Sequence, residues 1–160
     1  MNESELYTRI VQTTHALIAV LDREGRIVQF NPSCERLSGY GFNEVKGRCI
    51  WDFLLLPEET AAVRAVFDDL RQGHFPNRFD NHWVTRSGER RFIEWSNSAL
   101  PDDAGNVAYV IATGIDVTGK RKAEAKLRET RERFQNETGD GVNGELTLRP
   151  PVIVRSPRFT

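Results

Sequence analysis

The residues able to carry chemistry are few and scattered. The 160-residue chain holds two cysteines, Cys34 and Cys49, and three histidines, His15, His74 and His82. A structural zinc site needs closely spaced ligands, and neither a Cys-x-x-Cys nor a His-Glu-x-x-His spacing occurs. Acid–base work needs carboxyls held by a rigid frame. Asp102-Asp103 sit instead in Pro101-Asp-Asp-Ala-Gly-Asn106, a turn composition. No Ser/His/Asp spacing and no glycine-rich phosphate loop is present. The expectation is no catalysis and no metal. What remains is a binding chemistry: Asn97, a polar group two residues after Trp95 in a stretch that alternates with period two, so that both share one face of a strand.

The elements that would position these residues follow from spacing. Residues 3–15 read as a weakly amphipathic leading helix with Leu6, Ile10 and Val11 near one face. Two apolar runs, 16–22 and 26–31, flank a turn in which Gly25 supplies a positive φ, giving a β-hairpin. Asn31 before Pro32 predicts a helix N-cap, and Gly39 ends that helix. Short helical pieces follow at 42–45 and 50–56. Residues 58–72 form the best helix, with Val63, Val66, Phe67 and Leu70 at helical spacing. After Gly73 the period becomes two. Strands are expected at 79–85, 90–100 and 107–117. Phe92, Glu94 and Ser96 fall on one face of the middle one, Ile93, Trp95 and Asn97 on the other. Helices grouped between runs of strands make the fold class α+β with an antiparallel sheet.

Residues 119–135 are strongly helical and mostly charged, with one narrow seam of Ala123, Leu127, Thr130 and Phe134. Such a helix cannot fold on so few apolar groups alone and needs a partner surface. The stretch 136–160, rich in Gly and Pro, reads as a loose tail with an extended piece at Val152–Val154. The division expected is a flanking helix (1–15), a core (16–118), a terminal helix (119–135) and the tail. With 22 basic and 23 acidic residues, the balance points to neither nucleic acid nor an anionic membrane. The opening MNESELYTRI is charged, so no signal peptide or membrane insertion is expected. Two lone cysteines fit a reducing, cytoplasmic setting.

Four ordered pieces resemble the PAS family of bacterial sensory modules. They are Leu21-Asp-Arg-Glu-Gly-Arg-Ile-Val-Gln-Phe-Asn31, then Leu37-Ser-Gly-Tyr40 with Glu44-Val-Lys-Gly47, then Arg86-Ser-Gly-Glu89 leading to Trp95, and Gly114-Ile-Asp-Val-Thr118. The match spans roughly residues 5–135. The resemblance implies a five-stranded antiparallel sheet of order 2-1-5-4-3, helices over one face, and a ligand cavity between them. It also implies a homodimer that signals through terminal helices to an effector such as a histidine kinase or a diguanylate cyclase. The chain itself carries neither an evident phosphoacceptor histidine nor a Gly-Gly-Asp/Glu-Glu-Phe signature.

Within that frame the cavity is expected to involve Asn97, Trp95, Trp83, Trp51, Ile93, Gly114, Ala112, Leu21 and Phe67. Large tryptophans opposite small Ala112 and Gly114 either interdigitate into a filled core or leave a pocket beside Gly114. Asn97 needs a partner if buried, which makes it the best candidate ligand contact. Cofactors are expected to be absent, with FAD and haem as alternatives. The flavin-photochemical subclass of the family has its cysteine in an Asn-Cys-Arg-Phe-Leu-Gln segment, and this chain departs from it: Gly47-Arg-Cys49-Ile50-Trp-Asp52 places Cys49 one residue early, with Ile50 in the cysteine's slot. Its three amide positions hold Trp83, Ile93 and Gly114. A haem would need an axial ligand, and only His74, just past the long helix, has a path inward; His82 points out if Trp83 points in. Asp116 and Thr118 join the last strand to the terminal helix and are read as its cap and signal relay, with Ala123, Leu127 and Phe134 as the dimer seam. A purely structural dimerisation module is the remaining alternative.

Overall fold

Asp22 and Gly25 turn the first apolar run back on itself. The Asp22 carboxylate accepts from Glu24 N–H at 3.0 Å and Arg26 N–H at 2.9 Å. Gly25 sits at φ +82°, and a Cβ there would lie 2.0 Å from the Trp51 ring, so glycine is required twice over. This hairpin joins β1 (Leu17–Asp22) to β2 (Ile27–Phe30). The computed structural model describes residues 1–139. They belong to two units, Met1–Arg121 and one starting at Lys122.

In the first unit, α1 (Glu3–Thr13) precedes the hairpin. Then come α2 (Pro32–Ser38), α3 (Phe42–Val45), α4 (Thr60–Arg71), β3 (Asn77–Val84), β4 (Arg90–Pro101) and β5 (Val107–Asp116). All pairings are antiparallel, and the order is β2-β1-β5-β4-β3. The expected five-stranded α+β architecture is therefore the observed one. Register aligns inward-facing rows across the sheet: Leu17, Gly114, Trp95 and Phe79 in one, Ala19, Ala112, Asn97 and Asn77 in the next. Over this face lies α4, burying Val63, Phe67 and Leu70 against β3, β4 and β5. Each such side chain contributes about 1.5–3 kcal/mol by leaving water.

Asn31 organises the other end. Its Oδ1 accepts from Cys34 N–H, capping α2, and from Ile18 N–H of β1; its Nδ2 donates to Val11 O of α1 and Ala16 O. All four bonds of one amide thus knit three elements together. Otherwise α1 buries no residue, and Leu6, Tyr7 and Ile10 stay exposed.

Two local expectations change. Residues 50–56 are not a helix beyond one 3-10 turn, Ile50–Asp52. The backbone then extends toward the sheet: Leu54 O accepts from Val84 N–H at 2.8 Å, and Leu55 bridges to Trp83. Likewise α4 starts at Thr60 after a 3-10 turn at Pro57–Glu59. Glu59 is held by β3 instead, accepting from His82 N–H at 2.8 Å and meeting His82 Nδ1 at 2.7 Å.

The last helix, α5 (Thr118–Gly139), runs past the expected end at residue 135. In the second unit Leu127 and Phe134 are exposed. The expected extended piece at Val152–Val154 lies outside the described residues.

Candidate functional site

A cavity of about 60 Å³ lies between the inner sheet face and α4. Of the residues singled out from sequence, Asn97, Trp95, Trp83, Ala112, Leu21 and Phe67 line it. Three do not. Trp51 lies half-buried over Gly25, its ring edge-on to Phe67 at 5.5 Å with the Arg64 guanidinium 5.1 Å away. Ile93 faces inward but is fully enclosed, and packs toward Gly114. The space beside Gly114 is taken: a Cβ there would meet Trp95 Cζ3 at 2.5 Å. The small residue opposite Trp95 is thus a seat for the indole, not a pocket.

The tryptophans are ordered by neighbours. Trp83 stacks on Phe30 with ring centres 5.8 Å apart and tilts against Trp95 at 5.1 Å. Asn97 Nδ2 donates to Asn77 Oδ1 at 3.0 Å, so one of its partners is the amide directly across the β3–β4 ladder. Asn81 also lines the cavity, and its Oδ1 accepts from Trp95 Nε1 at 2.5 Å. Asn81 was missed in the sequence. Its two-residue offset from Trp83 on an alternating strand was the available signal.

Below the cavity the same strands end at a compact joint. Asp116 Oδ1 accepts from Thr118 N–H at 3.0 Å, the first free amide of α5, and from the Thr118 hydroxyl. Asp116 is therefore the cap. Thr118 does not cap; its Oγ1 accepts from Phe92 N–H at 2.7 Å, and Val117 N–H donates to Phe92 O at 2.9 Å. The main chain of one β4 residue is gripped on both sides by the root of α5. Arg91 Nε donates to Asp116 Oδ2 at 2.8 Å, and Arg91 Nη1 donates to Glu89 at 2.7 Å. Burial pushes the Asp116 carboxyl up, but the bonds from Thr118 and Arg91 outweigh it and hold the group below the ordinary carboxylate value. Bonds to Asp116 and Glu89 hold the Arg91 guanidinium on its charged side. The outer face of Phe92 carries Arg121 over its ring at 3.9 Å and His82 edge-on at 4.8 Å. His82 thus points out, as the parity of Trp83 requires. Arg91 and Phe92 were invisible as joint residues because neither neighbours Asp116 in sequence.

The separate motifs at 37–47 and 86–89 also meet. Arg86 pairs with Glu44, its guanidinium lies 4.7 Å from the Tyr40 ring, and Arg86 N–H donates to Ser38 O at 2.8 Å.

A family model described as the PAS fold matches residues 11–122. The chain belongs to the PAS fold family. Among curated relatives, the cyclic di-GMP phosphodiesterase PdeR of Escherichia coli (strain K12) is 30% identical over 125 residues, 75% of this chain and 18% of that protein. The sensor histidine kinase TmoS of Ectopseudomonas mendocina is 26% identical over 132 residues, 79% of this chain and 14% of that one. The chain thus spans under a fifth of the length of these relatives. Among solved structures, the PAS domain of the Cronobacter turicensis RpfR quorum-sensing receptor in complex with C12:0 superposes with a TM-score of 0.59. It is 25% identical, over 68% of this chain and 99% of that one.

A cavity of about 60 Å³ is well below the few hundred Å³ that ligands of drug size occupy. Ile50 lines it, whereas the Cys49 thiol is directed at Glu24 O, 3.6 Å away. His74 is 70% exposed at its side chain and faces Asp69 at 3.8 Å, so it is not poised as an axial ligand. Among the described residues no cluster of His, Cys, Asp and Glu could hold a metal. Nor is any helix among them long and apolar enough to cross a membrane.

Proposed function

We propose that this PAS domain responds to a small ligand in the cavity, or to a partner, and passes the change along β4 and β5 into α5. In this reading α5 pairs with a second copy through Ala123, Leu127 and Phe134 and drives an effector such as a histidine kinase or a diguanylate cyclase. The observation that carries it is the double grip on Phe92. Trp95, which lines the cavity, lies on the same strand as Phe92, and Val117 and Thr118 of the α5 root hold that strand's backbone. A shift of β4 cannot leave the α5 cap unchanged. The relatives, one a sensor kinase and one a cyclic di-GMP phosphodiesterase, support an effector-linked setting. Free Cys34 and Cys49 fit a cytoplasmic one.

The seam is tested by sedimentation velocity of the full chain against Leu127→Asp and against a chain ending at Thr118. A dimer lost in both supports the reading; equal dimer content sinks it. The same reading holds the domain free of FAD and haem. The purified protein is expected to be colourless and to stay so after either is added, and a visible band of stoichiometric size would overturn that part.

A further inference from the structure

The cavity has a fixed polarity. An indole N–H can only donate, so the Asn81 oxygen must face Trp95 and the amide cannot be turned the other way. Its two N–H groups are then directed away from Trp95. Among the described residues no hydrogen bond runs from them to a protein acceptor, and since no fully enclosed side-chain nitrogen is left unpartnered they keep contact with open space; Asn81 is 3% exposed and lines the cavity. Asn97 carries no such constraint, because the Asn97–Asn77 pair can exchange donor and acceptor by turning both amides. Of the two amides that line the cavity, Asn81 is thus the one whose direction the packing dictates, and it presents a donor.

The rest of the lining is aliphatic or aromatic, and none of it is charged. Arg71, whose guanidinium lies 5.8 Å from the Phe67 ring, is already engaged by Asp68 and by Arg23 O. A carboxylate entering here would lose its hydration with no counter-charge, whereas a neutral carbonyl would lose little and gain the Asn81 bond.

We propose that the cavity selects a small, apolar, uncharged molecule bearing a hydrogen-bond acceptor, a ketone, ester or lactone carbonyl, that binds the Asn81 amide N–H groups. This rests on the reading of the cavity as a ligand site. It narrows that reading away from free acids, and the volume of about 60 Å³ restricts it to a few heavy atoms unless the walls move.

The test titrates the ¹⁵N-labelled full chain with cyclopentanone, cyclopentane and cyclopentanecarboxylate, following the Asn81 side-chain amide and the Trp95 indole N–H. Cyclopentanone is expected to shift both signals and to bind about tenfold more tightly than either comparator. Asn81→Leu and Asn81→Ser should remove that preference, and Asn97→Leu should keep it; thermal melts show which variants fold. Equal binding of cyclopentane and cyclopentanone, or a preference for the carboxylate, overturns the donor assignment while leaving a ligand cavity in place. No binding by any of the three, with the Asn81 signals unmoved, overturns the cavity reading as well and leaves Asn81 bonded to water.

Discussion

Gly114 and Trp95 face each other across the β4–β5 ladder so closely that a Cβ on the glycine would stand 2.5 Å from the indole. The cavity wall is built on this contact, since Trp95 holds Asn81 on one side and leans on Gly114 on the other. Gly114→Ala is therefore expected to destabilise the domain by about 1–3 kcal/mol, through overpacking rather than backbone strain. Urea unfolding followed by tryptophan fluorescence measures it. Trp95→Leu in the same chain should recover part of the loss, and two fully additive losses would contradict the contact.

Thr118 is expected to matter through its hydroxyl. Thr118→Val keeps the shape and leaves Phe92 N–H without its acceptor, at a cost of about 1–3 kcal/mol. Hydrogen exchange should quicken at the Phe92 and Val117 amides more than at Ala19 or Leu21. Uniform exchange across the sheet would show that the hydroxyl does not hold the joint.

Asp116 makes the joint pH-dependent. The folded domain holds this proton less tightly than the unfolded chain, whose ordinary value is 3.8, so the unfolded state binds more protons as the pH falls. The stabilisation is fully present above that value and is lost as the pH drops through the lower folded value. Asp116→Asn should therefore cost about 1–2 kcal/mol at pH 7 after allowance for its partial exposure, and progressively less below pH of about 4. Parallel urea curves for the two proteins from pH 7 to pH 2.5 give the comparison. A difference that does not shrink in acid would count against the assignment.

The two thiols should separate cleanly. Burial pushes the Cys34 thiol up to about 12, and its Sγ donates toward Ile18 O. Burial and Asp52 also raise Cys49, yet Cys49 is only half-buried. An aromatic disulfide reagent at pH 8 is expected to titrate one thiol in the folded protein and the second only on adding denaturant. Cys49→Ser should abolish the fast reaction; its persistence would mean that Cys34 is reachable.

Much of this was legible in the chain because it depends on neighbours in sequence. Alternation along 90–100 and 107–117 settles which side chains face inward, for the pleat sends every second residue to the same side. Asn31-Pro32 announces the α2 cap, and Gly25 the hairpin, because each needs a backbone conformation that few residues accept. The Asp116–Thr118 joint was legible as a strand-to-helix passage, since its capping bond spans only two residues.

The remainder depends on pairs that the chain keeps far apart. Nothing local to Ile50–Leu56 says that Leu54 and Leu55 turn to meet Val84 and Trp83. Nothing local to Asn97 names Asn77, and nothing local to Thr118 names Phe92. The resemblance to the PAS family implied that tryptophans stand opposite small residues, and so left a filled core and an open pocket both in view. Only the register of β4 on β5 decided it, by setting Trp95 against Gly114 and leaving the free space beside Asn81 and Asn97 instead. The physical reason is that local backbone preference acts within a few residues, whereas where a large ring finds room is a property of the packed strands together.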